Sequence, residues 1–243
     1  MENISEARKI VRDIFDRIEG LLEEKEGELL YNIAKDCRVE KGVIVEIGSF
    51  KGRSTICLGK GSKAGNQARI YAIDPHMGTS VHKFFKIPQT YDEFKKNIKI
   101  AGIDDVVFPI FKTSKEAAKI FHEPIEFLFI DGNHEYENVK LDFLSWYPKV
   151  IYGGIIAFHD HIFFGPRRVI EKYVHMSRHF KVLGIIDSIL YAQKVKKSSL
   201  KDRLINIFLF FIFRCADLYH KLPFPKPITK LTVRTLGTLK IIK

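Results

Sequence analysis

Short β-branched runs alternating with helical periodicity constrain this chain more than any other feature. Val43-Ile44-Val45-Glu46-Ile47 lies between Gly42 and Gly48 and is apolar except at Glu46. Such a run suits a strand buried on both faces. Comparable runs occur at 70–73, 106–111, 127–130, 155–158, 180–185 and 188–192. Helical segments fall between most of them, at about 53–61, 91–100, 114–121, 136–147 and 166–178. Ahead of the first run, residues 5–19 carry Ile10, Val11, Ile14, Phe15 and Ile18 at helical spacing, and 27–36 carry Leu29, Leu30, Ile33 and Ala34. Strands alternating with helices imply βαβ units and a mostly parallel sheet with helices on both faces. Only Ile186-Asp187 separates the last two runs, so they should pair as an antiparallel hairpin. The expected fold is therefore α/β: a doubly wound seven-stranded sheet ending in that hairpin, with N-terminal helices inside residues 1–40.

Composition removes several alternatives. In 243 residues, 46% are hydrophobic and 28% charged, as in ordinary globular proteins and unlike disordered or collagen-like chains. Three scattered cysteines, Cys37, Cys57 and Cys215, exclude a disulfide scaffold and read as buried reduced thiols. The polar start MENISEARK lacks the apolar core of a secretion signal, which predicts a cytoplasmic protein. The net charge of +11 is localised: residues 194–243 hold 12 Lys/Arg against 2 Asp/Glu, leaving residues 1–193 at +1. A nearly neutral domain over 1–193 and a basic extension over 194–243 are the expected organisation.

The first run leads into Glu46-Ile47-Gly48-Ser49-Phe50-Lys51-Gly52-Arg53-Ser54. Glycines at 48 and 52 let the backbone turn tightly and approach a ligand at the start of the next helix. A dinucleotide site would place its glycines as G-x-G-x-x-G, which this loop does not. The acid ahead of the turn can instead neutralise a cationic group, which suits an amino-acid-bearing cofactor. Asp74 ends the second strand, where a carboxylate can accept both hydroxyls of a ribose, and Pro75-His76 follow at that edge. Asp131-Gly132-Asn133-His134 and His159-Asp160 end the fourth and fifth strands, so two carboxylates converge on the crevice where open α/β sheets bind ligands. Hard divalent cations favour such ligands. Ser114 reads as the N-cap of the helix that follows. Between Asp74 and Tyr91, a segment with Gly78, Thr79, Ser80, His82, Lys83, Lys86 and Pro88 reads as a lid or specificity element over the site.

With VEIGSFKGRST, YAIDPH, FLFIDGNHEYENVKLDF and GGIIAFHDH, residues 25–193 resemble the class I S-adenosylmethionine-dependent methyltransferases, whose Rossmann-like sheet ends in the same hairpin. The last two segments look most like the metal-assisted O-methyltransferases related to macrocin and mycinamicin sugar methyltransferases and the cephalosporin-hydroxylase-like group. The resemblance implies S-adenosylmethionine as cofactor, contacted by Glu46, Gly48, Ser49, Gly52, Ser54, Asp74, Pro75, His76, Thr113, Ser114 and Asp131. It implies a divalent metal, Mg²⁺ or Mn²⁺, at Asp131 and Asp160, with His159 as a further ligand. His159 is a departure, because the relatives carry a second acid there; either a His ligand shifts the preference toward softer ions, or His159 points away and only Asp131, Asp160 and waters or substrate bind the ion. Asp131 and His134 are then the catalytic residues, His134 as general base. The implied reaction is O-methylation of a hydroxyl on a sugar or other polyhydroxylated small molecule. The alternatives are a catalytically silent cofactor-binding module whose tail does its work, and an NAD-dependent oxidoreductase.

In the extension, 204–213 is a ten-residue apolar run, half the length a membrane span requires. As a helix it would set Arg203, Asn206, Arg214, Asp217 and Lys221 roughly on one side. The expectation is an interfacial helix on the anionic inner face of a membrane, aided by Lys194, Lys196 and Lys197. The competing occupants of the apolar face are the chain's own domain and a second copy in a homo-oligomer. Nucleic acid is disfavoured because the aromatics are contiguous rather than interleaved with cations.

Overall fold

A computed structural model describes residues 5–77 and 90–221 and the strand at 238–240, with side chains to residue 215. The loop expected over residues 78–89, with His82, Lys83 and Lys86, lies outside the described residues. Along the chain run α1 (Glu6–Arg17), α2 (Glu24–Asp36), β1 (Val43–Ile47), α3 (Arg53–Ala64), β2 (Ile70–Ile73), α4 (Tyr91–Ile100), β3 (Val107–Ile110) and α5 (Ser114–Ile120). There follow β4 (Ile125–Ile130), α6 (Tyr136–Trp146), β5 (Val150–Phe158), α7 (Phe164–Val169), β6 (Phe180–Ile186), β7 (Ile189–Lys194), α8 (Leu200–Lys221) and β8 (Thr238–Lys240). A π-helical turn, Ile170–His175, continues α7.

The strands form one sheet in the order β3-β2-β1-β4-β5-β7-β6-β8. All seven expected strands are present; β1 to β5 run parallel and β7 and β6 close the sheet antiparallel. The basic extension adds the short eighth strand, antiparallel on β6. Order reverses between β1 and β4, and that switch point leaves a crevice beyond the strand ends. Register aligns those ends: Ile47 pairs with Ile73 and with Ile130, and Ile130 with Phe158. The next residues of the four strands, Gly48, Asp74, Asp131 and His159, therefore stand in a row along one edge.

Strand periodicity divides the core. Ile44, Phe127 and Phe129 pack with α1, α2 and α3 on one face, while Val43, Val45, Ile47 and Leu128 pack with α5, α6 and α7 on the other. Burying each such large side chain contributes about 1.5–3 kcal/mol. Two helix starts differ from the sequence reading. Thr113, not Ser114, caps α5: its hydroxyl accepts from Glu116 N while the Glu116 carboxylate accepts from Thr113 N at 3.1 Å, a reciprocal capping box. Helix α2 begins a turn earlier than Gly27 because Glu23 and Glu26 form the same arrangement, with Glu23 N donating to Glu26 Oε2 at 2.8 Å.

Candidate active site at the strand ends

Glu46 points to the α3 side of β1 and has no exposed surface. Thr55 Oγ1 donates to its Oε2, and Oε1 has no hydrogen-bond partner. Burial, reinforced by the charges of Asp131 and Asp74 and opposed by bonds from Ser54 and Thr55, pushes its carboxyl up to about 8. An unpartnered buried oxygen is costly in an empty protein and becomes an asset when a cation reaches it. Ser49, also buried, has an unpartnered hydroxyl.

The loop after β1 depends on two left-handed glycines, Gly48 at φ +90° and Gly52 at φ +94°, the latter capping α3. A Cβ on Gly48 would lie 2.1 Å from the carbonyl oxygen of Asp131, so glycine is what lets β1 and β4 end side by side. Asp74 ties this loop to its own: Oδ2 accepts from Phe50 N at 2.9 Å and Oδ1 from His76 N at 2.6 Å. With each oxygen already accepting one backbone N–H, the outward lone pairs are what remain for a ribose. Pro75 lies between the two anchored residues. His76 sits at φ +50° and is buried, its Nδ1 3.0 Å from Thr90 Oγ1 and its ring packed by Tyr91, Phe94 and Phe111. Burial lowers its pKa against the pull of Asp74 and keeps the ring neutral. Ser114 Oγ accepts from the Trp146 indole at 2.9 Å and donates to the buried Asp142. Asp142 lies under the β4 loop, 3.3 Å from where a Gly132 side chain would begin, and burial pushes its carboxyl up to about 6.

On the other side of the crevice, Asp131, His134 and Asp160 each offer a ligand atom, and these atoms lie within 4.8 Å of one another. His134 Nε2 is 3.1 Å from Asp160 Oδ2, and Asp160 takes a left-handed turn at φ +52° that an Asp tolerates. Helix α7 presses on this loop at Gly165, where a Cβ would meet the His134 carbonyl at 2.0 Å.

His159 is turned inward from the crevice and is buried. It lies behind the two aspartates, with Nδ1 3.0 Å from Asp131 Oδ1 and 3.1 Å from Asp160 Oδ2, and Nε2 3.2 Å from Glu26 Oε2. Burial disfavours a charged ring, but the surrounding carboxylates, Asp131 above all, raise its pKa and hold it protonated. Of the two histidines, His134 is the one whose ring nitrogen lies in the cluster with Asp131 and Asp160. Burial raises Asp131, while for Asp160 the His159 contact outweighs burial and lowers it.

Glu26 is the functional-site residue the sequence reading missed. Fully buried, it accepts from Ser188 N and Ser188 Oγ, each at 2.6 Å, through Oε1 and faces His159 through Oε2. Burial alone would raise its carboxyl, but His159, Ser188 and Glu23 hold it low. One acid in α2 thus fixes the β6–β7 turn and the end of β5 together.

Residues 45–161 match a protein family described as a methyltransferase domain, which displaces the nicotinamide alternative. An uncharacterised protein, R132 of Acanthamoeba polyphaga mimivirus, is 30% identical over 141 residues, 55% of this chain. The chain spans 58% of that protein's length. Among solved structures, the O-methyltransferase TomG of Streptomyces achromogenes, in complex with S-adenosylmethionine, superposes with a TM-score of 0.56 at 15% identity, covering 79% of this chain and 91% of that one. An O-methyltransferase of Bacillus cereus in complex with S-adenosylhomocysteine gives 0.54 at 17% identity, covering 80% and 93%. Fold, strand-end geometry and family match agree: residues 45–161 match a methyltransferase domain, and the sheet that carries them has the Rossmann-like methyltransferase fold.

Proposed function

We propose that this chain is an S-adenosylmethionine-dependent O-methyltransferase that methylates a hydroxyl of a sugar or other polyhydroxylated small molecule with the help of a divalent cation. The observation that carries the reading is the convergence of Asp131, His134 and Asp160 directly beside the Glu46–Gly48 turn, so that a donor site and an acceptor site adjoin. S-adenosylmethionine supplies an electrophilic methyl group, and a divalent cation supplies charge that makes an acceptor hydroxyl more acidic.

The chain's own residues do the rest. Glu46 Oε1 receives the ammonium end of the cofactor, the backbone of residues 48–52 lines its middle, and Asp74 accepts from the ribose. Thr113 and Ser114 border the adenine side. Asp131 and Asp160 give a hard cation carboxylate oxygens. His134, 39% exposed at the crevice, takes the acceptor's proton, with Asp160 beside it to stabilise the imidazolium. Behind them His159, backed by Glu26, sets a positive charge against both aspartates and offsets their mutual repulsion.

Calorimetric titration with S-adenosylhomocysteine, with Mg²⁺ and again with EDTA, tests the cofactor; turnover of a panel of sugars and glycosides under both conditions tests the rest. Micromolar binding together with EDTA-sensitive methylation is the expected result. A folded protein that does not bind in either condition overturns the cofactor reading, and methylation indifferent to EDTA overturns the cation. Mutation His134→Ala should abolish turnover and leave S-adenosylhomocysteine binding intact. If excess Mg²⁺ restores that variant, His134 is a ligand and not the base.

A further inference from the structure

Helix α8 is mounted with its polar groups inward. Asn206 is fully buried: its Oδ1 accepts from Val182 N at 3.2 Å and its Nδ2 donates to Phe180 O at 2.9 Å, both on β6. Leu209 and Phe213 are buried beside it, Phe213 between the rings of His161 and His175. Arg214 Nη2 lies 3.3 Å from Glu171 Oε2, an acid that also holds Arg168. The opposite face carries Leu200, Leu204, Phe208 and Phe211 at spacings of four, four and three, and these are 83%, 69%, 62% and 58% exposed. A contiguous stripe of this kind on a helix already fixed to its domain marks an interaction surface.

Charge selects the occupant. Lys201 and Arg203 flank the stripe on its two edges, and beside Phe210 a cleft of about 220 Å³ is lined by Arg168, Lys172 and Arg214 together with Glu171, which pairs with both arginines. The 194–243 segment carries a net +10 while the rest of the chain is nearly neutral. Not every cation of the segment contributes. Lys194, expected among the membrane-facing lysines, is buried and donates to the carbonyls of Tyr147, Pro148 and Val150. No described helix is long and apolar enough to cross a bilayer. We propose that α8 docks the protein on an anionic membrane surface, lying in the plane of the interface with Leu204, Phe208 and Phe211 among the upper acyl chains and its flanking cations at the phosphate headgroups. Apolar insertion plus attraction to anionic lipid is how in-plane helices bind.

Co-sedimentation of the full chain with vesicles tests this, comparing phosphatidylcholine alone with phosphatidylcholine containing phosphatidylglycerol, at low and high salt. The expected result is partitioning at least about tenfold stronger on the anionic vesicles, weakened by salt. The paired substitutions Phe208→Ser with Phe211→Ser, and separately Lys201→Glu with Arg203→Glu, should each weaken it by about tenfold or more. These residues lie on the outer face or its edges, so melting temperature and S-adenosylhomocysteine binding should be unchanged, which separates this proposal from the catalytic one. Absence of binding to anionic vesicles at low salt, or equal binding to both vesicle types, overturns it. So does a dimer in sedimentation velocity that Phe208→Ser with Phe211→Ser dissociates, since a second copy would then cover the stripe.

Discussion

Substituting Glu46 by Gln separates what the buried acid costs the fold from what it gives the site. Desolvation, with the nearby Asp131 and Asp74 charges, raises its carboxyl to about 8, so at pH 7 about 0.9 of the free protein holds the proton there. An ammonium arriving at the unpartnered Oε1 favours the carboxylate, and binding should then release close to one proton. Calorimetry of S-adenosylhomocysteine binding at pH 7, in EDTA, in phosphate and in Tris, reads this release directly. The observed heats should differ by nearly the difference in buffer ionisation enthalpy. Glu46→Gln should show no such difference and should bind at least tenfold more weakly, about 1.4 kcal/mol or more. The same substitution acts on stability with a known sign. The folded pKa exceeds the unfolded value of 4.5, so the native state loses stability as pH rises from about 4.5 to about 8. At pH 7 that loss is about 3 kcal/mol, and Gln removes it. The variant should therefore be more stable than the parent at pH 7 and lose that advantage at pH 4. Identical heats in the two buffers for the parent, or undiminished affinity in Glu46→Gln, would refute the reasoning.

Other perturbations follow from the same geometry. Gly48→Ala places a Cβ 2.1 Å from the Asp131 carbonyl at a left-handed φ, and urea denaturation should report a loss of about 2 kcal/mol or more with cofactor binding abolished. Asp142, raised by burial from 3.8 to about 6, costs stability increasingly as pH climbs through that interval. Asp142→Asn should gain up to about 3 kcal/mol at pH 7.5 and nothing at pH 3.5, read from denaturant midpoints. Asn206→Ala strips Val182 N and Phe180 O of their side-chain partner, and a loss of about 1–3 kcal/mol with faster proteolysis in α8 is expected while S-adenosylhomocysteine affinity holds.

What the sequence could and could not reveal divides along one physical line. Strands β1 and β4 were legible because residues buried on both faces must be apolar, and a chemistry-bearing residue stands out where such a run ends. Glu46, Asp74, Asp131 and Asp160 were found that way, and the register of the sheet brings them to one edge. Thr113 as the cap of α5 was legible too, in the Thr-x-x-Glu spacing that the Ser114 reading overlooked. Glu26 was not legible. Its partners lie 133 and 162 residues away, and an acid in an amphipathic helix carries no local mark of burial. The buried placement of His159 has a similar origin: Glu26 stands behind β5 and the ring lies between it and the two aspartates, while His134 is the more exposed of the two. Helix α8 is the sharpest case. Its run of Phe and Leu marks two apolar faces, and periodicity cannot choose between them. The choice is made by one amide, Asn206, whose two hydrogen bonds to β6 turn Leu209 and Phe213 inward and leave Leu204, Phe208 and Phe211 facing out. Hydrophobicity sets how much apolar surface this helix has, and hydrogen bonding decides which of it the domain covers.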